Sequence, residues 1–167
     1  MTPTRATVLL VLAVAAQSTL PRLALWLSGL DFVLMAVVAV ALRSGPGAGV
    51  VAGTVAGLVQ DAFGTGLLGI GALGKTVAGF AAGAVAGQFM LGSPLARLAI
   101  YLGASLIHGL IVAVFLGLTT DAASSVSMTL AVAEALGTAA AGVTCEQVAE
   151  WWRLTRLRRA RQKGLRD

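Results

Sequence analysis

The sequence predicts an all-α integral membrane protein, a compact bundle of about six transmembrane helices, and three observations carry that prediction. Apolar residues make up 57% of the chain and charged residues only 11%, whereas charged residues fill about a quarter of an ordinary soluble domain. Mean hydropathy is +0.90. The apolar residues also fall into runs broken at Gly, Pro and Ser, the punctuation that separates helices. At roughly 20 residues per spanning helix, the 167 residues have room for these runs and a short tail. The domain reading is therefore a single transmembrane helical domain over 1–150 and a basic cytoplasmic tail over 151–167.

The first run, Ala6 to Trp26, follows Arg5 as a secretion signal would. Gln17-Ser18-Thr19, however, lacks the small-x-small ending of a cleavage site, so the run is read as a first spanning helix, which Pro21 and Arg22 could end early. The second, Phe32 to Leu42, is short for a span, and Asp31 stands where an N-cap would stand. In the third, Gly47 to Phe63, Gly49, Gly53 and Gly57 recur every fourth residue. The fourth, Leu67 to Leu91, repeats the device with Gly79, Gly83 and Gly87. Small residues at this spacing let helix backbones approach closely in lipid, where dispersion drives association, so the third and fourth helices are predicted to pack against each other. Leu95 to Leu118 and Val126 to Val148 complete the set.

Orientation follows from the basic residues, which concentrate on the cytoplasmic side. The ending WWRLTRLRRARQKGLRD holds seven basic side chains and one acidic, which assigns the C-terminus to the cytoplasm. With six helices the N-terminus lies there too, along with Arg5, Arg43 and Arg97, while the DAFGTG and TTDAASS loops lie outside. Arg22 alone is on the wrong side. Trp26 at the outer face and Trp151 with Trp152 at the inner face fit the aromatic belts of the two interfaces. The high sequence pI of 10.7 comes mainly from this tail, so no nucleic-acid partner is predicted and membrane lipid is.

Polar residues inside apolar runs need a partner, a cavity or the interface. Asp31, Asp61 in GLVQDAF, Lys75, His108 and Glu134, within or at the ends of these runs, are of this kind. The last four, with Gln17 and Gln60, are predicted to form a polar cluster in the outer half of the bundle, Lys75 being the cation between Asp61 and Glu134. The cluster could be an ion pair that fixes helix register, a ligand site or a partner contact. Catalytic patterns are thin: Ser105 lies three residues before His108 without an orienting carboxylate nearby, and Asp61 has no second intramembrane aspartate to face. The single Cys145 excludes an intramolecular disulfide and a cysteine metal site. No residue is assigned to catalysis, to a metal or to a cofactor, and the chain is read as a non-enzyme.

The first helix LAVAAQSTLP, Asp31 before a short second helix, ALRSGPGAGVVAGTVAGLVQDAF and the GLLGIGALGKTVAGFAAG that follows together resemble the MreD family of bacterial rod shape-determining membrane proteins. The likeness covers about Ala13 to Gly83. Two positions depart from the family pattern: Leu30, where proline is frequent, and Gly71, where asparagine is frequent. The resemblance implies a multi-pass protein of the bacterial cytoplasmic membrane, working in the cell-elongation complex with the bitopic protein MreC. Through MreC it would act with MreB filaments and the glycosyltransferase/transpeptidase pair that makes peptidoglycan. It also implies a bundle similar to the substrate-binding subunit of energy-coupling-factor transporters. The alternative reading is a small-molecule-binding subunit of such a vitamin transporter, which the outer polar cluster would suit and the scarcity of aromatic residues would not.

Overall fold

The computed structural model describes residues 2–23, 29–64, 68–88, 93–119 and 128–163. Every regular element among them is helical: α1 (Pro3–Leu23), α2 (Phe32–Ser44), α3 (Pro46–Phe63), α4 (Ile70–Gln88), α5 (Pro94–Thr119) and α6 (Met128–Lys163). Among the described residues, three helical segments, Pro3–Leu20, Ile70–Gln88 and Pro94–Phe115, are long and apolar enough to cross a membrane. Trp26 and the loop residues 65–67 and 120–127 lie outside the described residues, as do the side chains of Arg22, Arg153, Leu154 and every residue from 156 onward.

The shortest helix is the centre of the bundle. With 13 residues, α2 is about 20 Å long, and Val33 to Ala41 are all buried. A helix apolar on every side is surrounded by protein or by lipid; here it is protein, since α2 touches each of the other five helices. Leu34, Met35, Val38 and Ala41 pack against Ala78 and Ala82 of α4, Ile100, Tyr101 and Ala104 of α5, and Ala139 and Val143 of α6. On its other side Val33, Val37 and Val40 meet Ala52 and Ala56 of α3, with Leu10 and Val14 of α1 alongside.

Gly45 turns the chain between α2 and α3. Its φ of +88° suits glycine, which has no Cβ to clash in that region, and its N–H bonds the Ala41 carbonyl at 2.9 Å. Pro46 then opens α3, a position whose N–H would be unpaired in any case.

The glycine stripes meet in antiparallel register. A Cβ added at Gly53 would stand 2.5 Å from the Lys75 carbonyl oxygen and 2.7 Å from the Thr76 Cα. At Gly57 it would stand 2.5 Å from the Ala72 Cα, at Gly79 2.6 Å from the Gly49 carbonyl oxygen, and at Gly83 2.6 Å from the Pro46 Cα. Gly49 opposes the Gly79 carbonyl in the same way. The Thr54 and Thr76 hydroxyls close the contact at 2.9 Å.

Gly87 departs from the predicted stripe: nothing described lies within 4 Å of where its Cβ would be. Gly83 already faces Pro46, the first residue of α3, so one turn further on α4 has no α3 backbone opposite it. A second departure concerns the tail. α6 runs unbroken through Glu150 to Lys163, 36 residues in all, so the basic segment continues the sixth helix.

Candidate functional site

A helix that starts among other helices has N–H groups that water cannot reach, and each must find a partner inside the protein. The start of α2 presents this problem, and side chains from several elements answer it. The Asp31 N–H donates to the Thr138 hydroxyl of α6 (3.3 Å), and the Phe32 N–H to Gln17 Oε1 of α1 (2.7 Å). The Leu34 N–H donates to Asp31 Oδ1 (2.8 Å), the N-cap geometry expected of an aspartate in this position.

The cap leaves Asp31 with a carboxylate charge and a second oxygen to satisfy. Lys75 of α4, 2% exposed, places Nζ 2.8 Å from Oδ2. His108 of α5 brings Nε2 to 3.5 Å from the same oxygen and 3.3 Å from the lysine nitrogen. Side chains from four helices, α1, α4, α5 and α6, thus converge on two residues at the start of α2, Asp31 and Phe32. With Lys75 charged, the imidazole nitrogen facing it can only accept. The other ring nitrogen, Nδ1, is buried against Gly74, where a Cβ would sit 2.5 Å away. It has no hydrogen-bond partner among the described residues, and Gln60 Oε1 is in the same condition.

The predicted pairing of Lys75 with Asp61 and Glu134 is corrected here: the lysine is held by Asp31. Asp61 is spent elsewhere. Its Oδ2 accepts from the Gly69 and Ala72 N–H groups, both at 3.0 Å, so a carboxylate at the end of α3 caps the start of α4 across the intervening turn. Gly69 has φ +98°, and a Cβ at Gly71 would collide with Asp61 Oδ1, so the turn needs glycine at both places. This accounts for the charge inside GLVQDAF. Asp61→Ala is expected to cost about 1–2 kcal/mol, the range for loss of a cap, read as a lower melting temperature in detergent; an unchanged melting temperature would contradict the assignment.

Glu134 stays exposed, with its Cγ 3.3 Å from the place of a Gly29 Cβ and no ion pair among the described residues. The physical reason is the register of α6, which turns Ala135, Thr138, Ala139, Val143 and Glu146 inward and leaves Glu134 at the edge of that stripe. Of the six predicted cluster residues, Lys75 and His108 touch each other. Gln17 joins them through the start of α2, and Gln60, Asp61 and Glu134 make none of these contacts.

A second charged group, which sequence reasoning missed, lies at the opposite end of α2. Glu146 of α6, almost fully buried, is 3.4 Å from Arg43 of α2 and 3.8 Å from Arg97 of α5, and Arg97 also meets Glu150 at 2.9 Å. Glu146 and Glu150 at i and i+4, with Arg43 and Arg97 near helix ends, were a readable signal. The positive-inside pattern accounts for the arginines by orientation alone.

Both polar groups tie helix to helix, and together they define a helical membrane protein whose internal charges are committed to holding the bundle. The chain belongs to the MreD family: the family model described as rod shape-determining protein MreD matches residues 4–143. That family is a shape-determining one, and its members are membrane proteins. No curated protein and no solved structure matches the chain.

Proposed function

We propose that this chain is a non-enzymatic component of the bacterial cell-elongation complex. In this reading it binds an MreC-like bitopic membrane protein and, with it, helps control peptidoglycan synthesis and cell shape. The observation that carries the reading is the family match over residues 4–143. It is supported by a bundle in which the buried Asp31–Lys75 pair and the Arg43–Glu146–Arg97 group are occupied with one another.

In this account the six helices form one transmembrane bundle, α2 spanning only part of its thickness, in an arrangement similar to the substrate-binding subunit of energy-coupling-factor transporters. The C-terminus is cytoplasmic. That orientation puts Arg5, Arg43, Arg97 and the basic end of α6 on the side where basic residues gather, and the Asp31 and Asp61 caps toward the outside. α2, too short to cross about 30 Å of hydrocarbon, begins below the outer surface. The internal partners of its N–H groups are what a helix end in that position requires.

The test is purification of the tagged full-length protein from its native host in mild detergent, with mass spectrometry of what accompanies it. Recovery of a single-span envelope protein together with cell-wall glycosyltransferase and transpeptidase is expected. Recovery of a transporter motor with its ATPases, without cell-wall synthases, would overturn the reading in favour of the vitamin carrier.

A further inference from the structure

The end of α6 carries a feature that holding the bundle does not explain. A helix needs about 20 residues to cross a bilayer, and α6 has 36. Among the described residues its ion pairs with the bundle are those of Glu146 with Arg43 and Arg97 and of Glu150 with Arg97, and the helix continues from Glu150 to Lys163, about 20 Å further.

The order of residues along that extension is specific. First come Trp151 and Trp152, 63% and 55% exposed, their rings edge to face with centroids 6.5 Å apart. Exposed tryptophans at the end of an apolar helix sit at the level of lipid headgroups, where the apolar ring and the indole N–H are both accommodated. Then come Arg153, Arg156, Arg158, Arg159, Arg161 and Lys163, with no acidic residue among them. The headgroup layer is about 5–8 Å deep on each side, and the field of an anionic surface reaches about 8 Å beyond it at physiological salt. All but the last turn of the extension lies within that combined distance.

The distribution of the basic residues separates two kinds of partner. A helix that docks in a protein groove places its anchors at i, i+3, i+4 and i+7, on one face. At about 100° per residue, positions 153, 156, 158, 159, 161 and 163 instead fall around the whole circumference, with Leu154, Leu157 and Ala160 interspersed. Charge on every side suits a partner that surrounds the helix. We infer that the continuation of α6 beyond Glu150 binds the anionic lipid headgroups of the leaflet from which it emerges, with Trp151 and Trp152 setting its depth. The inference rests on α6 alone and stands or falls independently of the elongation reading.

The test is native mass spectrometry of the full-length protein in detergent, offered equal amounts of phosphatidylglycerol and phosphatidylcholine. The wild type is compared with the quadruple variants R156Q/R158Q/R159Q/R161Q and R156K/R158K/R159K/R161K, whose substitutions lie on the continuation beyond Glu150. The wild type is expected to retain phosphatidylglycerol in preference, with the glutamine variant losing about five-fold in affinity per charge removed and the lysine variant keeping the preference. Equal retention of the two lipids by the wild type would overturn the proposal. So would an unchanged preference in the glutamine variant, whether or not that variant loses an accompanying protein, and so would loss of the preference in the lysine variant.

Discussion

Asp31→Asn and Lys75→Met are each expected to destabilise the protein by about 3–5 kcal/mol, the cost of leaving one member of a buried ion pair without the other. The double variant is expected to recover most of that loss. Asparagine remains a good N-cap, so Asp31→Asn keeps the Leu34 contact and removes only the charge that Lys75 neutralises at 2.8 Å. Methionine fills most of the lysine's volume and needs no partner. With both changes made, α2 keeps its cap and no charge is stranded, although His108 loses its contact with the lysine nitrogen. The measurement is thermal unfolding of the four proteins in one detergent. Singles and double equally damaged would mean that the pair is not the reason these residues are charged.

The second large effect concerns the α3–α4 contact. Gly53→Leu is expected to cost about 3 kcal/mol or more, at the upper end of what overpacking does. Its Cβ alone would approach the Lys75 carbonyl to 2.5 Å, and backbone facing backbone has no rotamer through which to yield. The helices would have to separate along their length, weakening the close packing on which association in lipid depends and moving Lys75 away from Asp31. Gly87→Leu is expected to change stability little, because nothing described lies near that site. Accumulation and melting of the two variants side by side decide the matter; equal damage, or none in either, would remove the stripe from the account.

The contrast between these glycines shows what could be read from the chain. Spacing of four residues identifies a stripe on each helix, and the pairing of the stripes follows from their adjacency in sequence. Where the contact stops depends on the relative stagger of α3 and α4, a tertiary quantity that places Pro46 opposite Gly83 and leaves Gly87 beyond the end. The polar residues divide in the same way. Lys75 was legible as a buried cation because it continues the glycine stripe, and Asp31 as a cap because it precedes an apolar run. That the cap and the cation are one pair was not legible, since it depends on α2 lying in the middle of the bundle with its first turn beside α4.

Assignment to the outer half of the bundle does not fix which polar residues touch. Asp61 and Glu134 are the partners the sequence offers Lys75, yet rotation of α6 turns Glu134 to its edge, and the α3–α4 turn takes up Asp61 in two backbone hydrogen bonds. The Glu146 group was missed for a related reason. Orientation alone accounts for charges near the predicted cytoplasmic face, so sequence does not reveal that they pair, although Glu146 is as buried as the apolar residues around it.

The most direct measurement of the central claim is the axial ratio of cells of the native host whose only copy of this gene is shut off and then replaced. The account predicts that depleted cells widen and round up, that the wild-type gene restores rods, and that D31N/K75M restores them better than either single substitution. Depleted cells that keep their dimensions while growing normally would contradict it.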